Sequence, residues 1–233
     1  MKLSGKVALI TGASGGLGSA LVKKLASEGA ELLLLARSVE ALEKLDDTLK
    51  PFGKQATLIP YDLNQWTGLE HLTQPIFDQY GRLDILVGCA AQLGTLSPLP
   101  HGTPEEWERI FRVNVLANWN LLRMCDPLLR LSETGRVLFA TCQQPKDLSY
   151  WGLYYSSQAA LETLVKTYAH EVAHTSIRVN LANPGPLPTK LRQSAFPGES
   201  LEGLPSLEEV ADTLLPWLLP ACTDHGQVVN PRS

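Results

Sequence analysis

The sequence predicts a doubly wound α/β domain: a mostly parallel sheet with helices on both faces. Short apolar runs alternate with longer stretches of helical spacing along the whole chain, and those runs are apolar throughout rather than every second residue. Continuously apolar strands are buried on both faces, the pattern of a parallel sheet covered by helices. Repeated strand–helix units with right-handed crossovers then give the doubly wound arrangement. The 233 residues are 44% hydrophobic and 19% charged, enough for one sizeable core. No repeat or compositional break divides them, so a single domain over 1–233 is expected.

Taken in order, Val7 to Ile10 reads as a buried strand. It turns through Thr11-Gly12-Ala13-Ser14-Gly15-Gly16 into a helix whose apolar positions Leu17, Leu21, Val22 and Leu25 recur at three and four. Glu31 to Ala36, with four consecutive leucines, is a second strand, and Ser38 to Lys50 a helix with Leu42, Leu45 and Leu49 on one stripe. Ala56 to Pro60 is a third strand, Asn64 to Tyr80 a helix, and Leu83 to Val87 a fourth strand. A long helical region runs from Pro104 to about Leu131. Arg136 to Ala140 is a fifth strand, Tyr154 to His174 a long helix, and Ile177 to Leu181 a sixth strand. A loop-rich segment with Pro184, Pro186, Pro188, Pro197 and Pro205 follows. A helix from about Ser206 to Leu218 and a short edge strand from Gly226 to Val229 complete the chain.

Composition narrows the function. Twenty Lys and Arg against twenty-four Asp and Glu leave a net charge of −4 and no basic stripe, which disfavours nucleic-acid binding through bulk charge. The four cysteines lie far apart with no C-x-x-C pair, so reduced thiols are expected. The N-terminal residues lead straight into a strand pattern without a signal-like apolar region. No apolar run approaches the ~20 residues of a spanning helix. A cytoplasmic protein with no membrane partner is the expectation.

Gly12, Gly16 and Gly18 lie between the first strand and the first helix. Glycines there permit a tight turn and close backbone approach to a ligand. The helix that follows offers unpaired N–H groups and a positive dipole end to a pyrophosphate. Cofactor choice is read at the end of the second strand, where sites preferring NAD carry an acidic residue for the ribose 2′-hydroxyl. This chain has Ala36 and then Arg37, whose guanidinium suits a 2′-phosphate. NADP(H) is therefore expected in preference to NAD(H).

The spacing Thr11-Gly12-x-x-x-Gly16-x-Gly18, with Tyr61-Asp62-Leu63, Asn114 in Arg112-Val113-Asn114-Val115, and Asn183-Pro184-Gly185 followed by Thr189, resembles the short-chain dehydrogenase/reductase family. The resemblance runs from Leu3 to about Val229 and implies a Rossmann-type fold. Leu191 to Pro197 further resembles a divergent bacterial subgroup. The resemblance implies cofactor contacts from Gly12, Ser14, Gly16, Leu17, Gly18, Arg37, Asp62, Leu63, Cys89, Ala90, Tyr154, Gln158, Pro184, Gly185, Leu187 and Thr189. It also implies a substrate lid at about 186–205 and a homodimer or homotetramer.

Two places depart from the family. Its fourth strand ends in Asn-Asn-Ala-Gly, where this chain has Gly88-Cys89-Ala90-Ala91. Its Tyr-x-x-x-Lys pair falls on Tyr154 and Gln158, and its serine, thirteen residues before the tyrosine, on Thr141, with Cys142 next door. The implied catalytic set is thus Asn114, Thr141, Tyr154 and Gln158. A cation at 4–6 Å shifts a pKa by roughly 1–3; without one, Tyr154 is expected to stay near ~10. Oxidation, which needs the phenolate, should suffer more than reduction, which needs the phenol. Lys166 lies roughly 12 Å along the axis beyond Gln158, too far to substitute; Lys146, before Tyr150, stays open as an alternative cation.

Two readings follow: an NADP(H)-dependent carbonyl reductase, or a catalytically impaired relative that binds nucleotide as a sensor or interaction protein. The apolar lid residues Leu187, Leu191, Phe196 and Leu201 predict an apolar substrate. Trp151 and Tyr150 either line the pocket or pack the loop. His170-Glu171-Val172-Ala173-His174 fits a zinc-peptidase pattern, but no third ligand stands at a recognisable distance and no metal is expected.

Overall fold

A computed structural model describes residues 1–65, 68–142 and 149–230. Its strands are β1 (Val7–Thr11), β2 (Glu31–Ala36), β3 (Thr57–Pro60), β4 (Ile85–Gly88), β5 (Arg136–Ala140), β6 (Arg178–Ala182) and β7 (Val228–Val229). They form a parallel sheet in the order β3-β2-β1-β4-β5-β6-β7. The chain builds outward from β1 to β3, then crosses back to lay β4 on the other side of β1. That reversal opens a crevice at the carboxyl ends of β1 and β4, where open α/β sheets bind ligands.

The helices are α1 (Gly16–Ser27), α2 (Val39–Asp47), α3 (Thr73–Tyr80), α4 (Pro104–Phe111), α5 (Ala117–Arg130), α6 (Gly152–Glu171), α7 (Lys190–Ala195) and α8 (Leu207–Leu214). Because strand side chains alternate between faces, β1 feeds two cores at once. Ala8 and Ile10 pack with Leu21 and Leu25 of α1, Leu42 of α2 and Leu214 of α8. Val7 and Leu9 pack on the opposite face with Ile76 of α3, Leu121 of α5 and Leu161 and Val165 of α6. The apolar strand runs are therefore buried on both sides, as their composition requires.

A buried carboxylate fixes the start of β4. Asp84 accepts hydrogen bonds from the Val7 amide at 3.0 Å, Ser132 Oγ at 2.6 Å, Arg82 Nε at 3.1 Å and Lys6 Nζ at 3.3 Å. Burial by itself would raise its pKa. The bonds from Ser132, Val7 and Arg82, with the Lys6 charge, outweigh burial and hold it below the ordinary carboxylate value.

Several expected elements change extent. Asn64–Gln65 is not helical; Gly68, at φ 110°, precedes a 3₁₀ turn at Leu69–Leu72, and α3 starts only at Thr73. The long helix from Pro104 is broken by a π turn over Arg112–Leu116 that contains Asn114. The loop-rich segment holds α7, whose first turn is capped by Thr189 Oγ1 accepting from the Arg192 amide at 3.3 Å. The final helix gives way at Leu215–Leu218 to a 3₁₀ turn around Pro216, which has no N–H to continue α8. Among the described residues no helix is long and apolar enough to cross a membrane.

Candidate active site

The glycine loop is shaped by what surrounds it. Gly12, with φ 62°, adopts the left-handed conformation, and a Cβ there would stand 2.7 Å from the Ala90 amide nitrogen. A side chain at Gly12 would therefore push β1 and β4 apart at the crevice. A Cβ on Gly18 would strike the Gly12 carbonyl at 2.2 Å, and one on Gly16 the Thr189 methyl at 2.8 Å. Gly16 thus lets the first residues of the lid segment lie against the loop. Leu17 and Gly18 are buried in α1 and serve the loop from behind. Gly15 caps α1 without a side-chain hydrogen bond, and no acidic residue occupies the first turn. That leaves the helix's positive end free of internal compensation, as an anionic ligand requires.

A cleft of about 200 Å³ runs from this loop across the crevice. Gly12, Ser14, Arg37, Asp62, Leu63, Cys89 and Ala90 all line it, together with Tyr61 and Gln92. Ser38 spends its hydroxyl on capping α2, accepting from the Ala41 amide at 3.1 Å, while Arg37 stays exposed at the cleft edge. Asp62 Oδ1 accepts from the Asn64 amide at 3.0 Å, which fixes the turn after β3. Burial pushes the Cys89 thiol up to about 12. On the β6 side, Pro184 and Leu187 are buried, and Gly185, at φ 71°, turns the chain toward Thr189 and α7. Of the residues expected from sequence to hold a dinucleotide, Gly12, Ser14, Arg37, Asp62, Leu63, Cys89 and Ala90 are thus brought together in one cleft, and Gly16 is set against Thr189.

The expected catalytic residues come from three elements. The π turn projects Asn114 into the loop after β4. Its Oδ1 accepts from the Gln92 amide at 2.8 Å, and its Nδ2 donates to the Gln92 carbonyl and to Ser157 Oγ, each at 2.9 Å. Asn114 thereby ties the β4–α4 connection to α6. Its carbonyl accepts from Asn118 Nδ2 at 2.8 Å. Asn118, Gln92 and Ser157 are site residues that sequence reasoning missed. The signals available were the Asn114–Asn118 spacing of one turn and the place of Ser157 beside Gln158.

Tyr154 is buried at 8% exposure in the first turns of α6. Its hydroxyl has the Cys142 thiol as a neighbour that acts on its titration. Thr141 Oγ1, Gln158 Nε2, Asn118 Oδ1 and Thr11 Oγ1 are buried without a hydrogen-bond partner among the described residues. Unpaired buried polar atoms are uncommon in native proteins. Four of them around the ends of β1 and β5 and the flanking helices fit a ligand rich in hydroxyl and amide groups.

The acidity of Tyr154 differs from the sequence expectation of about ~10. Burial, then the neighbouring Cys142 and Tyr155, push its pKa well above the ordinary phenol value. Cys142 is itself pushed up to about 12, chiefly by burial, and Tyr155 likewise to about 12. Gln158 is 2% exposed and carries no charge to oppose these effects. Lys166 pairs with Glu162 at 2.6 Å. The alternative cation Lys146 lies outside the described residues.

The peptidase pattern does not survive its geometry. α6 ends at Glu171, so His174 falls beyond the helix and cannot share a face with His170. Among the described residues, no three His, Cys, Asp or Glu side chains converge as a metal would need.

Residues 6–200 match the family model described as short chain dehydrogenase. The oxidoreductase YciK of Escherichia coli is 32% identical over 93% of this chain and 87% of its own length. Versicolorin reductase of Emericella nidulans is 30% identical over 94% of this chain and 83% of its own. A Shigella flexneri chain described as a short chain dehydrogenase and solved in complex with NADP superposes with a TM-score of 0.92. It is 29% identical and covers all of this chain and 99% of itself.

Proposed function

Because this chain belongs to the short-chain dehydrogenase family, we propose that it is an NADP(H)-dependent oxidoreductase that works mainly in the direction of carbonyl reduction. The observation that carries the direction is Tyr154: buried, with its pKa raised and an uncharged Gln158 one turn away, it is held as a phenol. A phenol donates a proton well and accepts one poorly. NADP-bound and NADPH-bound neighbours support the nucleotide, and Arg37 at the cleft edge supports the 2′-phosphate form.

When bound, the reduced nicotinamide supplies the hydride to the carbonyl carbon. Tyr154 presents its hydroxyl to the carbonyl oxygen and gives up the proton that completes the alcohol; solvent returns a proton to the phenolate. Thr141, with an uncommitted hydroxyl, is the second donor available to the same oxygen. Gln158 Nε2 would hold the ribose hydroxyls by neutral hydrogen bonds in place of an ammonium. Gly12 and the N-terminus of α1 would receive the pyrophosphate, Asp62 the adenine, and the segment from Pro184 to Thr189 the nicotinamide amide. Cys89 and Ala90 keep the β4 edge narrow enough for the nucleotide to lie along it.

The test is NADPH oxidation followed at 340 nm over a panel of ketones and aldehydes. Turnover that Tyr154→Phe abolishes supports the proposal. Tight nucleotide binding with no turnover on any carbonyl would move the protein to a sensing role instead.

A further inference from the structure

The lid meets the helix of the proposed acid through aromatic rings. Trp151, immediately before α6, is 8% exposed and lies edge-on to Tyr154, with ring centroids 6.1 Å apart. It stacks on Tyr155 at 5.3 Å, and Phe196, the residue that ends α7, leans on it at 5.5 Å. Phe196 is clamped from its other side by the Arg192 guanidinium, 4.8 Å from the ring centroid, and Glu199 holds Arg192 at 2.6 Å. The lid is thus docked on the catalytic helix by one ring pair whose outer partner is 37% exposed.

The backbone spends energy to present this wall. Tyr150 is the one non-glycine residue with positive φ, at 78°, among the described residues, a conformation that bulky side chains avoid. Such strain persists where surrounding contacts impose it, and it clusters at functional sites. Here the Tyr150 carbonyl accepts from the Ser97 amide at 3.1 Å, and the turn delivers Trp151 beneath the lid. The Tyr150 ring itself is left 58% exposed. Simple loop packing needs neither the strained turn nor an exposed ring beside it.

From these rings we infer that the substrate is a planar aromatic carbonyl compound, packed against the part of the Trp151, Tyr155 and Phe196 cluster that their contacts with one another and with Arg192 leave open. The inference rests on the reductase reading above and specifies its substrate class. The Trp151–Phe196 pair stands beside Tyr154, whose ring centroid lies 6.1 Å from that of Trp151, so these rings neighbour a carbonyl held at the Tyr154 hydroxyl. Offset or edge-on contacts favour a π system over a saturated ring of equal size by about two- to tenfold per ring. Arg192 forms an ion pair with Glu199 at 2.6 Å, so the pair brings no net charge to the wall, and its Nε is a buried donor without a partner among the described residues.

Matched ketones test this: 2-acetylnaphthalene against its fully saturated analogue, and acetophenone against cyclohexyl methyl ketone. Binding is measured by calorimetry on the full chain saturated with whichever oxidised nucleotide it binds more tightly, so that no hydride is available and turnover plays no part. The expected result is at least tenfold tighter binding of 2-acetylnaphthalene than of its saturated analogue. Phe196→Leu, at a partly exposed position, should shrink the ratio below threefold without changing nucleotide affinity; Trp151→Leu should act in the same direction. Equal binding of the two analogues, no binding of either, or a ratio that survives both substitutions overturns the inference. A clear aromatic preference with no NADPH turnover would leave it standing and defeat the reductase reading. Equal reduction of saturated and aromatic ketones would do the reverse.

Discussion

The Cys142 thiol neighbours the Tyr154 hydroxyl and helps to raise its pKa, while Thr141, one residue nearer β5, keeps its buried hydroxyl without a partner among the described residues. The two side chains make opposite predictions. Thr141→Ala removes a hydroxyl that contributes no internal bond, so stability should change by less than about 1 kcal/mol. Reductase kcat/KM should nonetheless fall about tenfold or more, as the second donor to the substrate oxygen is lost. Cys142→Ala should lower activity less than tenfold, because the thiol neighbours Tyr154 without being a donor to the substrate oxygen in the proposed step. Steady-state kinetics with thermal melts of both variants check this; the reverse ranking would make Cys142 the partner.

Gln158 sets the pH behaviour. With the Tyr154 pKa raised by burial, the phenol stays protonated through pH 9, and reduction should show no alkaline loss from it over pH 6–9. Alcohol oxidation needs the phenolate and should rise with pH up to tenfold per unit. Gln158→Lys introduces a cation one turn from Tyr154 and should lower its pKa by roughly 1–3. Oxidation at pH 8 should then gain about tenfold or more, and any alkaline decline in reduction should begin at a lower pH than in the parent. Rate profiles of both directions for the two proteins decide it.

Arg37 should select the nucleotide. Arg37→Glu replaces a bidentate donor with a charge that repels a 2′-phosphate and binds a 2′-hydroxyl. NADPH affinity should drop about tenfold or more, near 1.4 kcal/mol, with NADH affinity held or improved. Fluorescence titration of both nucleotides measures the exchange.

Asp84 should control stability without touching the chemistry. It is fully buried and accepts from four separate donors, so Asp84→Ala leaves Lys6 and Arg82 without their carboxylate. The cost should be about 3 kcal/mol, or roughly 6–12 °C in Tm for a chain of this size. Since its folded pKa lies below the unfolded value of ~3.9, its contribution is present above that pH. It is lost as pH falls through the folded pKa. The variant's acid unfolding limb below about pH 4 should therefore be shallower than the parent's, as circular dichroism against pH will show.

Much of the architecture was legible because burial on both faces leaves an unambiguous mark. β2 and β5 match their apolar runs residue for residue, at Glu31–Ala36 and Arg136–Ala140. Helix ends were less legible. The π turn at Asn114 has no compositional mark, and α7 hides among prolines where only the Thr189 cap announces it. Of the site, Gly12, Arg37, Asp62, Cys89 and Ala90 were found by motif and do share a cleft. Ser157 and Gln92 escaped because their roles come from meeting Asn114 across different elements.

The amino-acid sequence by itself determined the parallel sheet, the glycine turn, the tyrosine on the long helix and the glutamine one turn after it. Each of these is written in local pattern: apolar continuity, conformational permission, or residue type at a fixed spacing. Only the tertiary structure decided how those groups behave. It buried Tyr154 against Cys142 and so raised the phenol's pKa, it left Thr141 and Gln158 with uncommitted polar atoms, and it laid Phe196 of the lid on Trp151. Desolvation and hydrogen bonding depend on neighbours brought from distant segments. That is why residue identity named Tyr154 as the proposed acid, while packing set the form in which it is held.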